Sequence, residues 1–300
     1  MDNHYFHLCA NGADVRDFIL SESDYKAVFN LIGVCAANTD AVVLSFSIED
    51  SHPHILLYGT WIGCASFKEA FETLYRHYAS KTRKGKTPVV FRSELYVIND
   101  DNYLRNVAVY TIIQATKDGK PVMYYDYCWG TGSMYFRKGV RYSIWQTDSN
   151  GVMHQPVPFS SLTEREKRTV LHSRKWTIPD NWSICQGLIL PDNYVDKERY
   201  EQIYLTHNRF RVFLASPRKI EHEMLAKMAE SRGVSFEDQE ARRLCGDESK
   251  KMFGTRDPRR LDGRQRIALA QSLRTKYHLS FRQLSSVVRL PEPEIRVYVR

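Results

Sequence analysis

Two strand-like runs, 41–48 and 54–58, separated by a turn beginning Glu49-Asp50-Ser51, constrain this chain's fold more than any other feature. β-Branched and aromatic residues on both sides of so short a turn predict an antiparallel hairpin. His52 and His54 stand at the start of its second arm. In an extended strand, side chains at i and i+2 leave from the same face roughly 6–7 Å apart at Cα, so the two imidazoles can close on one divalent cation. Pro53, between them, lacks the N–H of a ladder residue and is expected only at an edge, a strand start or a bulge.

Flanking patterns extend the hairpin into a domain. Residues 4–10 read as a strand, and Ser21 and Asp24 supply N-cap chemistry for a helix carrying Tyr25, Val28, Phe29, Ile32, Cys35 and Ala36 at helical spacing. Ser66 and Glu69 form a capping-box pattern that opens a second helix, with Phe67, Ala70, Phe71, Leu74 and Tyr78 on its apolar side. Residues 89–98 read as a further strand, and Asp100 starts a third helix running to about Thr116. The order β-α-β-β-α-β-α predicts an α+β fold, an antiparallel sheet with its helices packed on one face in a ferredoxin- or RRM-like manner.

With 43% hydrophobic residues among 300, the chain has ample material for a core, and no apolar run approaches the ~20 residues of a membrane span. Its N-terminal residues lack a basic flank followed by an apolar stretch, so a cytoplasmic protein without membrane attachment is expected. The six cysteines include no Cys-x-x-Cys pair, which predicts reduced, mostly buried thiols and disfavours zinc. Of the formal charge of +8, residues 218–300 carry +7 (19 Lys+Arg against 12 Asp+Glu), leaving +1 for residues 1–217. A basic C-terminal region suits a polyanion, because cations gain by releasing counterions condensed on phosphates; a solvated, salt-laced helical region would carry the same charge.

On the third predicted helix Tyr103, Val107, Tyr110 and Gln114 fall on one stripe at i, i+4, i+7 and i+11. A phenol there can act as a nucleophile toward a phosphodiester if a nearby cation polarises the ester. From position alone, packing in the core is the stronger reading of Tyr110.

Taken in order, the segments of residues 4–137 resemble the single-tyrosine HUH transposases, in particular the REP-associated tyrosine transposases and their insertion-sequence relatives. The landmarks are the first strand with His7, the polar turn before Phe18, the helix start at Tyr25 and the His52-Pro53-His54 strand. They continue with Tyr78-Ala79 and its basic exit, Val90-Phe91-Arg92, the helix start Asn102-Tyr103-Leu104, and Asp126-Tyr127-Cys128-Trp129. The resemblance implies an HUH nuclease core in which His52, His54 and Gln114 hold Mg²⁺ or Mn²⁺ and Tyr110 is the nucleophile. It further implies transesterification on single-stranded DNA with hairpin or palindromic ends, through a 5′-phosphotyrosine. Nothing in it distinguishes a monomer from a homodimer.

Arg76, Lys81, Arg83, Lys84 and Lys86, beside Tyr75 and Tyr78, read as a surface for an unpaired strand, with Arg92 adding to it. A solvated helix end is the bland alternative. Residues 138–217 carry no catalytic constellation and read as a linker or packing module; the loop at 254–258 reads as a domain joint. Residues 264–277, 281–288 and 292–299 predict three helices with tight turns, resembling a helix-turn-helix with Leu284, Val288, Leu290, Ile295 and Val299 inside. Arg282, Gln283, Arg289 and Arg296 would then face DNA. The expected domains are 1–137, 138–217 and 218–300. A catalytically degenerate, domesticated DNA-binding regulator and an HUH replication initiator or relaxase remain alternatives. The water-activating carboxylate cluster of a small-molecule hydrolase is not seen.

Overall fold

The computed structural model describes residues 2–10, 18–83, 91–114, 123–137, 144–215, 220, 238–277, 279 and 281–299; the side chains at 238–240, 282, 292, 293 and 296 are not among those described. The predicted α+β class holds: antiparallel sheets combined with helices. Strands β1 (His4–Ala10), β2 (Val42–Ile48), β3 (Pro53–Gly59) and β4 (Ser93–Ile98) form one sheet in the order β2-β3-β1-β4, with every neighbouring pair antiparallel. The register sets His7 opposite Leu56 and Tyr96, and Cys9 opposite His54 and Glu94.

The two faces of this sheet differ in chemistry, and both are covered. On one face Phe6 meets Trp61 at 5.8 Å and Phe46 meets Phe29 at 5.3 Å between ring centroids, which seats α1 (Glu22–Ala37) and α2 (Trp61–Thr82). On the other face Ser45 shares a 2.7 Å hydrogen bond with Thr111, and His7 and His54 lie against Tyr110, which seats α3 (Asp101–Ile113). The expectation that all helices pack on one face is therefore corrected. Runs of consecutive buried residues in β1, β2 and β3 are the physical reason, since a strand covered on both sides has no solvated face.

Residues 138–217, read from the sequence as a linker or packing module, pack directly on this core where they are described, within the same compact unit. Asn30 of α1 clamps the turn of a small antiparallel sheet, formed by β5 (Val157–Pro158), β6 (Ser183–Cys185) and β7 (Leu188–Ile189). Its amide donates to Gly187 O at 2.8 Å and accepts from Ile189 N at 2.8 Å. Val195 bridges to Val43, and the N–H of Thr131 donates to Phe46 O at 2.9 Å, so two later segments cover the outer edge of β2. Gly130 permits that approach: a Cβ there would lie 3.1 Å from Phe46 O. Helices α4 (Glu164–Leu171), α5 (Lys197–Tyr204) and α6 (His207–Leu214) complete this region. Residues Met1–Leu225 group as one compact unit and Ala226–Arg300 as a second.

The second unit is helical: α7 (Asp238–Phe253), α8 (Gly263–Tyr277), α9 (Phe281–Val288) and α10 (Glu292–Tyr298). Leu244, Cys245, Leu269, Leu273, Leu284, Val288 and Ile295 are its buried core. The loop at 254–258, expected as a domain joint, lies inside this unit, where Arg256 pairs with Asp247 of α7. Buried Glu248 ties α7 to α8 by accepting from Ser272 at 2.7 Å and pairing with Lys276.

Candidate metal centre

The hairpin turn is a four-residue loop closed by a 3.0 Å bond from Glu49 N–H to His52 O, so His52 sits at the end of the turn rather than within the strand. Pro53 opens β3 opposite Ile48, a strand-start position that a residue without an N–H tolerates. Surrounding segments hold the turn. Ile19 N–H donates to Asp50 O at 3.0 Å, the Tyr25 hydroxyl bonds the Asp50 carboxylate, and Tyr127 OH donates to Ile48 O at 2.5 Å. Trp129 accepts from Ile48 N–H at 2.9 Å and stacks on Tyr25 at 5.2 Å.

On this scaffold the His52 and His54 rings lie 4.6 Å apart. Each has a partner at Nδ1: Ser51 Oγ for His52 at 2.8 Å, and His7 Nε2 for His54 at 3.1 Å. Metal-ligating histidines normally engage their second nitrogen in this way. Glu49 Oε1 approaches His54 Nε2 at 3.7 Å. One ligand atom each from Glu49, His52 and His54 lies within 4.8 Å of the others, and His7, Cys9 and His54 form a second, overlapping group that meets the same limit. Either group could hold a metal. Burial, then the charges of Glu94 and Glu49, push the Cys9 thiol well above its ordinary range, which opposes the thiolate a metal would need. Burial, then the charge of His52, lowers His7 to about 3 and keeps it neutral. The donor set of half-buried Glu49 and His52 with buried His54 fits a divalent cation better.

α3 begins where Asp100 accepts from Tyr103 N–H at 2.6 Å. Its predicted stripe of Tyr103, Val107, Tyr110 and Gln114 is buried throughout. Tyr110, 5% exposed, meets the His54 ring at 5.2 Å and the His7 ring at 6.0 Å, both edge to face. Gln114 caps the helix and is 2% exposed, and its buried Nε2 has no hydrogen-bond partner among the described residues. The structure thus brings His52, His54 and Tyr110 together and leaves Gln114 on the same stripe. Glu49 is the residue that sequence reasoning missed as a candidate ligand. Its signal was a carboxylate three residues before the first histidine in a tight turn.

The expected basic surface divides. Arg76, Lys81 and Arg92 are exposed. Tyr78 and Arg83 are not available as expected: Tyr78 OH donates to Asp24 at 2.9 Å, and Arg83 pairs with Asp24 at 3.5 Å and donates to Phe18 O at 2.7 Å. Desolvating buried Asp24 requires such partners. Lys84 and Lys86 lie outside the described residues, as do the side chains of Arg282 and Arg296. Gln283 is half-buried. Arg289 is exposed, with a left-handed φ of 61° at the end of α9. With Arg242 and Arg259, neither noted in the sequence, Arg289 lines a cavity of about 160 Å³ in the second unit. Asp257 also lines this cavity, and its carboxylate accepts from Arg259 N–H at 3.0 Å.

Among the described residues no helix is long and apolar enough to cross a membrane. No family model matches the chain, and comparison with curated proteins and with solved structures likewise finds no match.

Proposed function

We propose that this chain is a divalent-metal-dependent strand transferase acting on single-stranded DNA, of the single-tyrosine HUH transposase kind, with Tyr110 as its nucleophile. The observation that carries this reading is the edge-on meeting of Tyr110 with His54, a member of the Glu49, His52 and His54 donor cluster. A bound Mg²⁺ or Mn²⁺ would polarise the scissile phosphodiester and offset charge developing on its oxygens.

Tyr110 Oη attacks phosphorus, the P–O3′ bond breaks, and the departing oxygen takes up a proton to become a 3′-hydroxyl. The DNA 5′ end stays esterified to the tyrosine. Attack by the 3′-hydroxyl of another strand reverses the step and joins new ends without ATP. Glu49, His52 and His54 supply the ligands, with Gln114 the additional amide on the tyrosine's stripe. Exposed Arg76, Lys81 and Arg92 suit phosphates of the bound strand, and the arginine-lined cavity of the helical unit suits the backbone of a hairpin end.

Incubation with single-stranded hairpin oligonucleotides and Mn²⁺ should give a covalent adduct that survives denaturing electrophoresis. Tyr110→Phe should lose the adduct and keep DNA binding; an adduct formed by that variant overturns the assignment. The slight exposure of Tyr110 favours a second reading, a regulator that binds DNA without cutting it. DNA binding with no adduct in the wild-type chain would select that reading.

A further inference from the structure

We infer that His7 is a positioning residue that accepts a hydrogen bond from His54 Nδ1–H and so supports the His54 tautomer whose Nε2 binds a metal. The inference rests on reading Glu49, His52 and His54 as the metal centre. His7 Nε2 and His54 Nδ1 are 3.1 Å apart, too close for both nitrogens to be bare or both to carry hydrogen, so a single proton lies between the two rings. Burial of His7 at 0% exposure enforces its neutrality.

Two arrangements satisfy that geometry. If His7 Nε2–H donates, the remaining proton of neutral His54 sits on Nε2, directed toward Glu49 Oε1 at 3.7 Å, and that nitrogen has no lone pair for a metal. If His54 Nδ1–H donates, His54 Nε2 is a bare lone pair on the side of Glu49 and His52, and the single proton of His7 moves to Nδ1. His7 Nδ1 is buried without a hydrogen-bond partner among the described residues. An unpaired buried N–H is costly, so the second arrangement is held only while something occupies His54 Nε2. Metal uptake therefore shifts both rings together. His52 obeys the same pattern with an easier partner, because the Ser51 hydroxyl can accept as well as donate.

The full-length chain tests this through Mn²⁺ titrations followed by electron paramagnetic resonance, and through long-range ¹H–¹⁵N imidazole spectra of the Mg²⁺-loaded wild type. His7→Phe keeps the ring shape but cannot accept a hydrogen bond; it should weaken Mn²⁺ binding about 10–100-fold, the usual effect of losing such a partner. Its metal-free binding to single-stranded DNA should be unchanged, and raised Mn²⁺ should restore adduct formation. His7→Gln, whose amide oxygen accepts, should recover most of the affinity. The spectra should show His54 protonated at Nδ1, a readout that stands even where His7→Phe fails to fold. Wild-type affinity in His7→Phe, or an Nε2–H tautomer of His54 in the loaded chain, overturns the role of His7. A wild-type chain that takes up no Mn²⁺ overturns the metal centre and this role together. Mn²⁺ uptake that depends on His7, without any DNA adduct, leaves this role standing and overturns only the strand-transfer reading.

Discussion

Tyr200 donates its phenolic hydrogen to the carbonyl oxygen of Ala108 at 2.8 Å, two residues before Tyr110 on the same helix. Tyr204 does the same to Arg105 O at 2.6 Å, and Tyr135 stacks on Tyr200 with 3.7 Å between ring centroids. From the opposite side, Thr111 bonds Ser45 of the sheet. The helix that carries the proposed nucleophile is therefore gripped between β2 and residues of α5, which fix where Tyr110 stands.

Tyr200→Phe and Tyr204→Phe should each destabilise the chain by about 1 kcal/mol, the net worth of one hydrogen bond. The carbonyls keep their places in the helix ladder, so the loss should be no larger. Urea unfolding midpoints of the two single variants and the double variant check this.

Thr111→Val removes one partner of a wholly buried hydroxyl pair and leaves Ser45 without it, at a cost of about 1–3 kcal/mol. Thr111→Ser should restore most of that stability. Denaturant curves of the three proteins decide the matter; equal stability of the valine variant would deny the pair any structural weight.

Glu49→Gln should lower Mn²⁺ affinity at least about tenfold while leaving the fold intact, because it removes a ligand charge without changing side-chain shape. Chelation by EDTA should abolish adduct formation, with recovery on adding Mn²⁺. Calorimetric titration and the adduct assay provide the two measurements.

Acid should destabilise the first unit through His172, which burial, then the charge of Lys81, lowers to about 4. The folded pKa lies below the ordinary value of 6.5, so this neutral histidine contributes stability that is present above pH 6.5 and lost as pH falls toward 4. His172 also holds a left-handed φ of 49° after α4 and packs edge-on against Tyr78. His172→Asn tolerates that backbone and does not titrate, so its stability should vary less over this range in melts at stepped pH.

The double substitution Arg242→Ser with Arg259→Ser should reduce the slope of log affinity against log salt by about 2 for hairpin DNA, one for each phosphate that is no longer neutralised. Fluorescence anisotropy over a salt series measures it. An unchanged slope would remove the cavity from the DNA surface.

Much of the fold was legible because its signals are local. Asp100 before an apolar stripe capped α3 as expected, the Glu49–Ser51 turn made the hairpin, and a short α9 and α10 follow their apolar spacing. Tyr78 and Arg83 misled because cations and rings near a helix end look alike whether they face solvent or a buried carboxylate; only the arrival of Asp24, more than fifty residues earlier, separates the cases. Glu49 was passed over because a turn carboxylate is ordinary until its distance to an imidazole is known.

By itself, the order of residues determined the β2–β3 hairpin and the helical stripe holding Tyr110 and Gln114. These follow from periods of two and 3.6 residues. Tertiary structure alone decided that α3 lies on the opposite face of the sheet from α1 and α2, that His7 reaches His54, and that later tyrosines hold the helix. Those outcomes depend on which buried surfaces meet across long sequence separations, where side-chain volume and unsatisfied polar groups, rather than local periodicity, select the arrangement.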